Sequence, residues 1–133
     1  MDDIYAETLI YAYEHPGHKK ALEGANSNVH EENISCGDKI DVHIKIDGGK
    51  ISDISFEGEG CVISMGTAEM LIDVLKGKEL KEVESMATKE LLDIISIDPG
   101  PVRMPCATLS LRAVKKAILE YEGKPLDAAT KEL

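Results

Sequence analysis

Gly58-Glu59-Gly60-Cys61-Val62-Ile63-Ser64 is the stretch on which the reading of this chain turns. It joins an alternating, strand-like run to a long apolar run that reads as a buried helix. Two glycines permit backbone approaches and turn angles that a side chain would block. A thiol directly after them, where a helix begins, lies near backbone N–H groups that have no intrahelical partner. Those groups favour an anion, and so thiolate over thiol. Such a sulfur is a nucleophile or a metal ligand. The competing reading is a buried, inert cysteine, the ordinary state of a free thiol.

Upstream, Cys36-Gly37-Asp38 opens a strand in which Val42, Ile44 and Ile46 alternate with Asp41, His43, Lys45 and Asp47. This is the period of a half-buried strand. Asp47-Gly48-Gly49-Lys50 reads as a hairpin turn, because glycine supplies the positive φ that tight hairpins need. The return strand, Ile51 to Glu57, turns Ile54 and Phe56 inward and Asp53, Ser55 and Glu57 outward. Antiparallel pairing then carries Cys36 and Asp38 next to Gly58–Cys61. Asp2 to Glu14 reads as a helix with Tyr5, Leu9, Ala12 and Tyr13 on one face, and Asp2 and Asp3 at the positive end of its dipole. His15-Pro16 ends it. From His18 to Asn33 the pattern is polar and aperiodic, a loop or an irregular edge strand, and its histidines read as solvated.

Downstream, Ser64 to Lys76 predicts a largely buried helix stopped by Lys76-Gly77-Lys78. Lys78 to Met86 reads as a charged connector and Thr88 to Ile95 as a short helix. Asp98-Pro99-Gly100-Pro101-Val102-Arg103-Met104-Pro105-Cys106 is expected to be a stiff extended loop, because helix does not pass readily through prolines. A helix from Ala107 to Tyr121 follows, with Arg112, Lys115 and Lys116 in solvent. On this reading Cys106, like Cys61, is a thiol at the mouth of a helix. Residues 122–133 are expected to be a mobile tail. The pattern predicts one domain over residues 1–133, of α+β class: a small three-stranded antiparallel sheet packed by several helices.

The chain has 133 residues, of which 43% are hydrophobic and 4% aromatic, so its core is aliphatic. A net charge of −10 argues against nucleic acid as the main partner, since phosphate binding needs clustered positive charge. No run is long and apolar enough for a membrane span, and the start lacks a signal-peptide pattern. Three cysteines, none close to another in sequence, read as reduced thiols of a cytoplasmic protein.

Cys36, Asp38, Cys61 and Cys106 form the constellation. Cys36 and Asp38, two apart, share a face of an extended backbone. Three thiolates and a carboxylate converging on one point repel one another unless a cation joins them, and soft sulfur suits zinc or an iron–sulfur cluster. The cysteine spacing alone is a weak signal, because no Cys-x-x-Cys pair is present.

Cys36-Gly37-Asp38, Gly58-x-Gly60-Cys61-x-Ile63-Ser64 and Pro101-Val102-Arg103-x-x-Cys106 together resemble the iron–sulfur cluster assembly scaffold family. This is the IscU type, also found as the N-terminal domain of NifU and related to SufU. The resemblance runs from about Tyr5 to Tyr121. It implies a scaffold rather than a turnover enzyme. A cysteine desulfurase supplies sulfur as persulfide, a [2Fe–2S] cluster forms on Cys36, Cys61 and Cys106, and the cluster passes to apo iron–sulfur proteins. It implies Asp38 as fourth ligand or release-controlling residue, and Cys106 as the persulfide acceptor, because a loop that can move precedes it. Zn²⁺ commonly occupies the same place in this family. A homodimer that shields the cluster is compatible with the resemblance.

Two departures matter. Many members have histidine before the third cysteine; here it is Pro105, which cannot ligate, so Asp38 is the expected non-cysteine ligand. The chaperone-recognition stretch of the family, Leu-Pro-Pro-Val-Lys, is reduced to Asp98-Pro99-Gly100-Pro101-Val102-Arg103, which argues against a dedicated DnaK-type chaperone partner. The SufU branch also lacks the histidine but carries an insertion between its second and third cysteines. The 45 positions from Cys61 to Cys106 look too few for that insertion. The main alternative function is a zinc-bound sulfurtransferase that accepts persulfide from the desulfurase. A thiol hydrolase lacks a histidine beside either candidate nucleophile, and a purely structural zinc site more often closes with cysteine and histidine.

Overall fold

The structure, a computed structural model, describes residues 3–133. Helix α1 spans Asp3–Glu14, and strands β1 (Ser27–Asn33), β2 (Asp38–Asp47) and β3 (Lys50–Glu59) follow. Helices α2 (Val62–Leu75), α3 (Leu80–Glu84), α4 (Thr88–Ile95), α5 (Gly100–Tyr121) and α6 (Ala128–Lys131) complete the chain. The sheet is antiparallel in the order β1-β2-β3. The expected α+β architecture is the one observed. Asp2, assigned to the helix dipole, lies outside the described residues.

The hairpin follows from its turn. Gly48 and Gly49 both have positive φ, +59° and +74°, as the tightest hairpin connection demands. The turn pairs Ile46 with Ile51; a bulge between Lys45 and Ile46 then shifts the ladder by one residue, so that Asp41 pairs with Glu57 and Lys39 with Glu59, which delivers the end of β3 beside the start of β2. Ile40, Val42, Ile44, Ile54 and Phe56 are fully buried against α2 and α5. Ser55, expected on the outer face, is buried as well.

β1 is an edge strand whose alternation is masked by polar residues that point inward. Ser27 donates to the Ala117 carbonyl at 2.8 Å. Glu31 is buried between Arg112 (3.4 Å) and Lys116 (3.0 Å) of α5. These two bases are therefore ion-paired rather than free in solvent, and Lys115 is buried. The segment after α1 is also bound: the Phe56 N–H donates to the His18 carbonyl, and the His18 ring meets Asp73 at 2.9 Å.

α1 lies across α2 through Leu9 and Ala12, while Tyr5 and Tyr13 of its expected inner face stay exposed. The approach is close because of Gly66: a Cβ there would stand 2.8 Å from the Leu9 carbonyl oxygen. α2 begins two residues earlier than the apolar pattern suggests and stops at Lys76, with Gly77 at φ +88°. The charged connector contains α3, which buries Leu80 and Val83. The expected mobile tail carries α6, capped by Asp127 on the Thr130 N–H, and it docks with Thr130 buried and Leu133 against the core.

The largest correction concerns residues 98–106. The expected loop is helix from Gly100 onward. Pro101 stands in the first turn, where its missing N–H has no partner to lose. Pro105 costs one bond, the one its N–H would have made to the Pro101 carbonyl. The buried run from Cys106 to Leu119 holds the helix in place around it. Among the described residues, no helix is long and apolar enough to cross a membrane.

Candidate metal centre

The β1–β2 turn, the β3–α2 junction and the second turn of α5 meet at one end of the sheet. In the turn, the N–H groups of Cys36 and Gly37 donate to the Asn33 carbonyl at 3.3 and 2.8 Å, and Gly37 takes φ +77°. Cys36 is left exposed. Asp38 opens β2 and is buried, 2% exposed. Cys106 rises from α5 as the floor of the site, fully buried. One ligand atom from each of Cys36, Asp38 and Cys106 lies within 4.8 Å of the other two.

Asp38 is tied on both oxygens. Its Oδ1 accepts from the Cys61 N–H at 3.2 Å and from Ser64 Oγ at 3.1 Å, and its Oδ2 accepts from Asn33 Nδ2 at 3.3 Å. The two glycines of the opening motif have steric reasons. A Cβ on Gly60 would strike Ser64 Oγ and stand 2.6 Å from Asp38 Oδ1. A Cβ on Gly58, at φ +148°, would strike the Lys39 carbonyl oxygen. The motif thus brings β3 onto β2 and the helix start onto the carboxylate.

Cys61 caps α2 with its sulfur, which accepts from the Ser64 N–H at 3.4 Å. Partial burial opposes ionisation of this thiol, and so does Asp38. Hydrogen bonds with the Ser64 backbone and side chain and from the Ile63 N–H prevail and hold it below the ordinary thiol value. Cys106 goes the other way. Burial first, then hydrogen bonds with Asp38 and Cys36, push its thiol up to about 12. Asn33 Nδ2 donates to Cys106 Sγ at 3.5 Å. Arg103, one turn before Cys106, faces all three sulfurs, which raise its own pKa, and it is within hydrogen-bonding reach of Cys106.

Of the four residues expected from sequence, the structure gathers Cys36, Asp38 and Cys106 and places Cys61 alongside with its sulfur turned onto α2. Cys106 is not at a helix mouth, and no mobile loop precedes it; this removes the ground for expecting the persulfide there. Asn33, Ser64 and Arg103 are further members of the site. Ser64 belongs to the Gly58–Ser64 stretch, but its place as the third residue of a helix capped by Cys61 appears only once α2 is seen to start at Val62. Asn33 becomes visible only as the register partner of Asp38, and Arg103 only once α5 is known to start at Gly100.

The donor set suits a thiophilic cation. Ligand atoms that lie within 4.8 Å of one another would need only side-chain rotation to reach the about 3.7 Å expected between two sulfurs bound at about 2.3 Å to one tetrahedral ion. In the metal-free protein the proton retained by Cys106 and the donors on Asp38 relieve the repulsion that a cation would otherwise remove.

The family model described as NifU-like N terminal domain matches residues 4–128. The chain belongs to that family. Among its relatives in it is the zinc-dependent sulfurtransferase SufU of Bacillus subtilis, 35% identical, with the alignment covering 92% of this chain and 95% of the relative. That alignment runs over 142 positions, more than the 133 residues of this chain. The relative therefore carries residues that this NifU-like domain lacks. The iron–sulfur cluster assembly scaffold protein IscU of Haemophilus influenzae is 30% identical, over 90% of this chain and 97% of the relative. In fold, the domain resembles the crystal structure of a SUF-system cluster assembly scaffold protein from Fervidobacterium islandicum. The TM-score is 0.76 at 24% identity, over 87% of this chain and 97% of that one.

Proposed function

We propose that this NifU-like domain is a scaffold on which iron and desulfurase-derived sulfur are assembled into a [2Fe–2S] cluster for transfer to apo-proteins. The observation that carries the reading is the convergence of two thiols and a carboxylate within 4.8 Å, with Cys36 exposed and Asp38 and Cys106 buried behind it. Cys36, Asp38 and Cys106 hold the cargo, and Cys61 joins them by turning its sulfur away from the first turn of α2. The cluster would be cargo rather than a resident cofactor, and the protein would supply the ligands that hold it and the means of its release. An aspartate oxygen is a harder, weaker partner for cluster iron than a fourth thiolate, which suits a site that must give up what it binds.

Sulfur enters through Cys36, the one thiol of the three that is exposed. Its thiolate attacks the outer sulfur of the donor persulfide, a new S–S bond forms on Cys36, and the donor cysteine leaves as thiolate. Cys106, which the sequence favoured for this step, is buried and holds its proton. Arg103 stands over the sulfurs as a fixed cation for the anionic species that arrive. The partners on this reading are a cysteine desulfurase and apo iron–sulfur proteins in the cytoplasm.

A second reading, a zinc-holding sulfur relay, is supported by the similarity to the sulfurtransferase and uses the same ligands. Anaerobic reconstitution with iron and sulfide separates the two. Uptake of about two irons per chain with visible cluster absorption supports the scaffold. Tightly held zinc, persulfide on Cys36 and no cluster support the relay. A protein that binds neither zinc nor iron overturns both.

A further inference from the structure

We propose that the Asn33 side chain is a stand-in for the cation: it joins the metal-free centre together, must be displaced when the centre fills, and so sets how readily the centre empties. The inference rests on the reading of Cys36, Asp38 and Cys106 as a metal-binding group.

Asn33 ends β1 directly opposite Asp38. Its amide nitrogen donates to Asp38 Oδ2 at 3.3 Å and to Cys106 Sγ at 3.5 Å. An amide –NH₂ has two protons, and here both go to atoms of the converging group. The other carboxylate oxygen is already taken by Ser64 and the Cys61 N–H. Asn33 therefore occupies the one oxygen left to face a cation, together with the buried sulfur behind it. The contact with Asp38 is longer than the about 2.9 Å of a well-formed N–H···O bond, as befits a bond that must exchange. The side chain is not what holds the turn: the Asn33 backbone carbonyl does that, accepting from Cys36 and Gly37. When a cation takes Asp38 Oδ2 and Cys106 Sγ, the amide loses its acceptors; when the cation leaves, the amide returns and stabilises the empty state.

The test loads the full chain with Co²⁺ or Zn²⁺ and follows extraction into excess chelator for the parent, Asn33→Ala and Asn33→Asp. Alanine removes the donor; aspartate keeps the size and reverses its polarity. Release is expected to slow about fivefold in the alanine variant. In the aspartate variant it slows about tenfold, equivalent to about 1.4 kcal/mol, with the Co²⁺–thiolate absorption unchanged in Asn33→Ala. A merely structural role makes both variants release faster, in step with lower melting temperatures, and that result overturns the proposal. The parent gives a second measurement without substitution. The side-chain amide resonances of Asn33 should move on zinc loading while those of Asn26 and Asn28 stay; unmoved Asn33 signals overturn the proposal even if neither variant folds. A parent that takes up no metal overturns the metal-centre reading, and this inference with it. Tight metal with unaltered release overturns the role of Asn33 alone.

Discussion

The β3–α2 junction and the α4–α5 junction look alike in sequence and are built differently. Each places a cysteine after a stretch rich in glycine or proline. At the first, Cys61 is the cap of α2, its sulfur on the Ser64 N–H. At the second, α5 starts before its prolines, and Cys106 sits in the second turn, buried. One sulfur is held toward the thiolate and the other toward the thiol. At a helix start the first N–H groups have no carbonyl within the helix to bond, so a proline in the first turn breaks no bond. Two cysteines with matching neighbours therefore acquire opposite electrostatics.

The sharpest way to break this comparison is at the glycines. Gly60→Ala drives a Cβ into Ser64 and Asp38. It is expected to cost about 3 kcal/mol in urea unfolding, the upper end of overpacking, and to weaken zinc binding about 100-fold by displacing the carboxylate. Gly100→Ala meets open space and only the strain of φ +78°. It should cost about 1 kcal/mol and leave zinc binding within twofold. Equal losses of zinc from both variants would erase the distinction between the junctions.

The thiols give the next largest contrast. In the metal-free protein, Cys106→Ser buries a hydroxyl where sulfur packed and should lose about 2 kcal/mol. Cys61→Ser keeps a good capping oxygen and should stay within about 0.5 kcal/mol of the parent. Their pH dependences run in opposite senses. A thiol pKa lowered by folding contributes stability that is present above the ordinary value of 9.0 and fades as pH falls through the folded value. A thiol raised to about 12 contributes stability that is present below 9.0 and fades as pH rises toward 12. Thermal melts of parent and serine variants across pH 6 to about 11 should show the parent's margin over Cys61→Ser growing with pH and its margin over Cys106→Ser shrinking. A gain rather than a loss is expected at Pro105→Ala, which restores a donor for the Pro101 carbonyl and should stabilise the metal-free protein by about 1 kcal/mol. No gain would mean that the helix is already broken at that turn.

Much of this was legible in the chain. The alternation of β2, the Gly48-Gly49 turn and the stop at Gly77 each rest on local chemistry, and antiparallel pairing then carries Asp38 toward Cys61, although the bulge between Lys45 and Ile46 that fixes the final register was not read. What escaped reading was set by partners distant in sequence. β1 hides its inward face because Glu31 is polar and needs Arg112 and Lys116 to be buried. α5 passes through Pro105 because tertiary burial outweighs one lost hydrogen bond. Asn33 shows no signal until it is set against Asp38 across the sheet.

The central claim is that Cys36, Asp38 and Cys106 share one cation, and an anomalous difference map from zinc-loaded crystals tests it most directly. A single peak about 2.3 Å from both sulfurs and about 2.1 Å from the carboxylate is the predicted result. A peak that touches only one of the three residues, or zinc bound elsewhere on the chain, would contradict it.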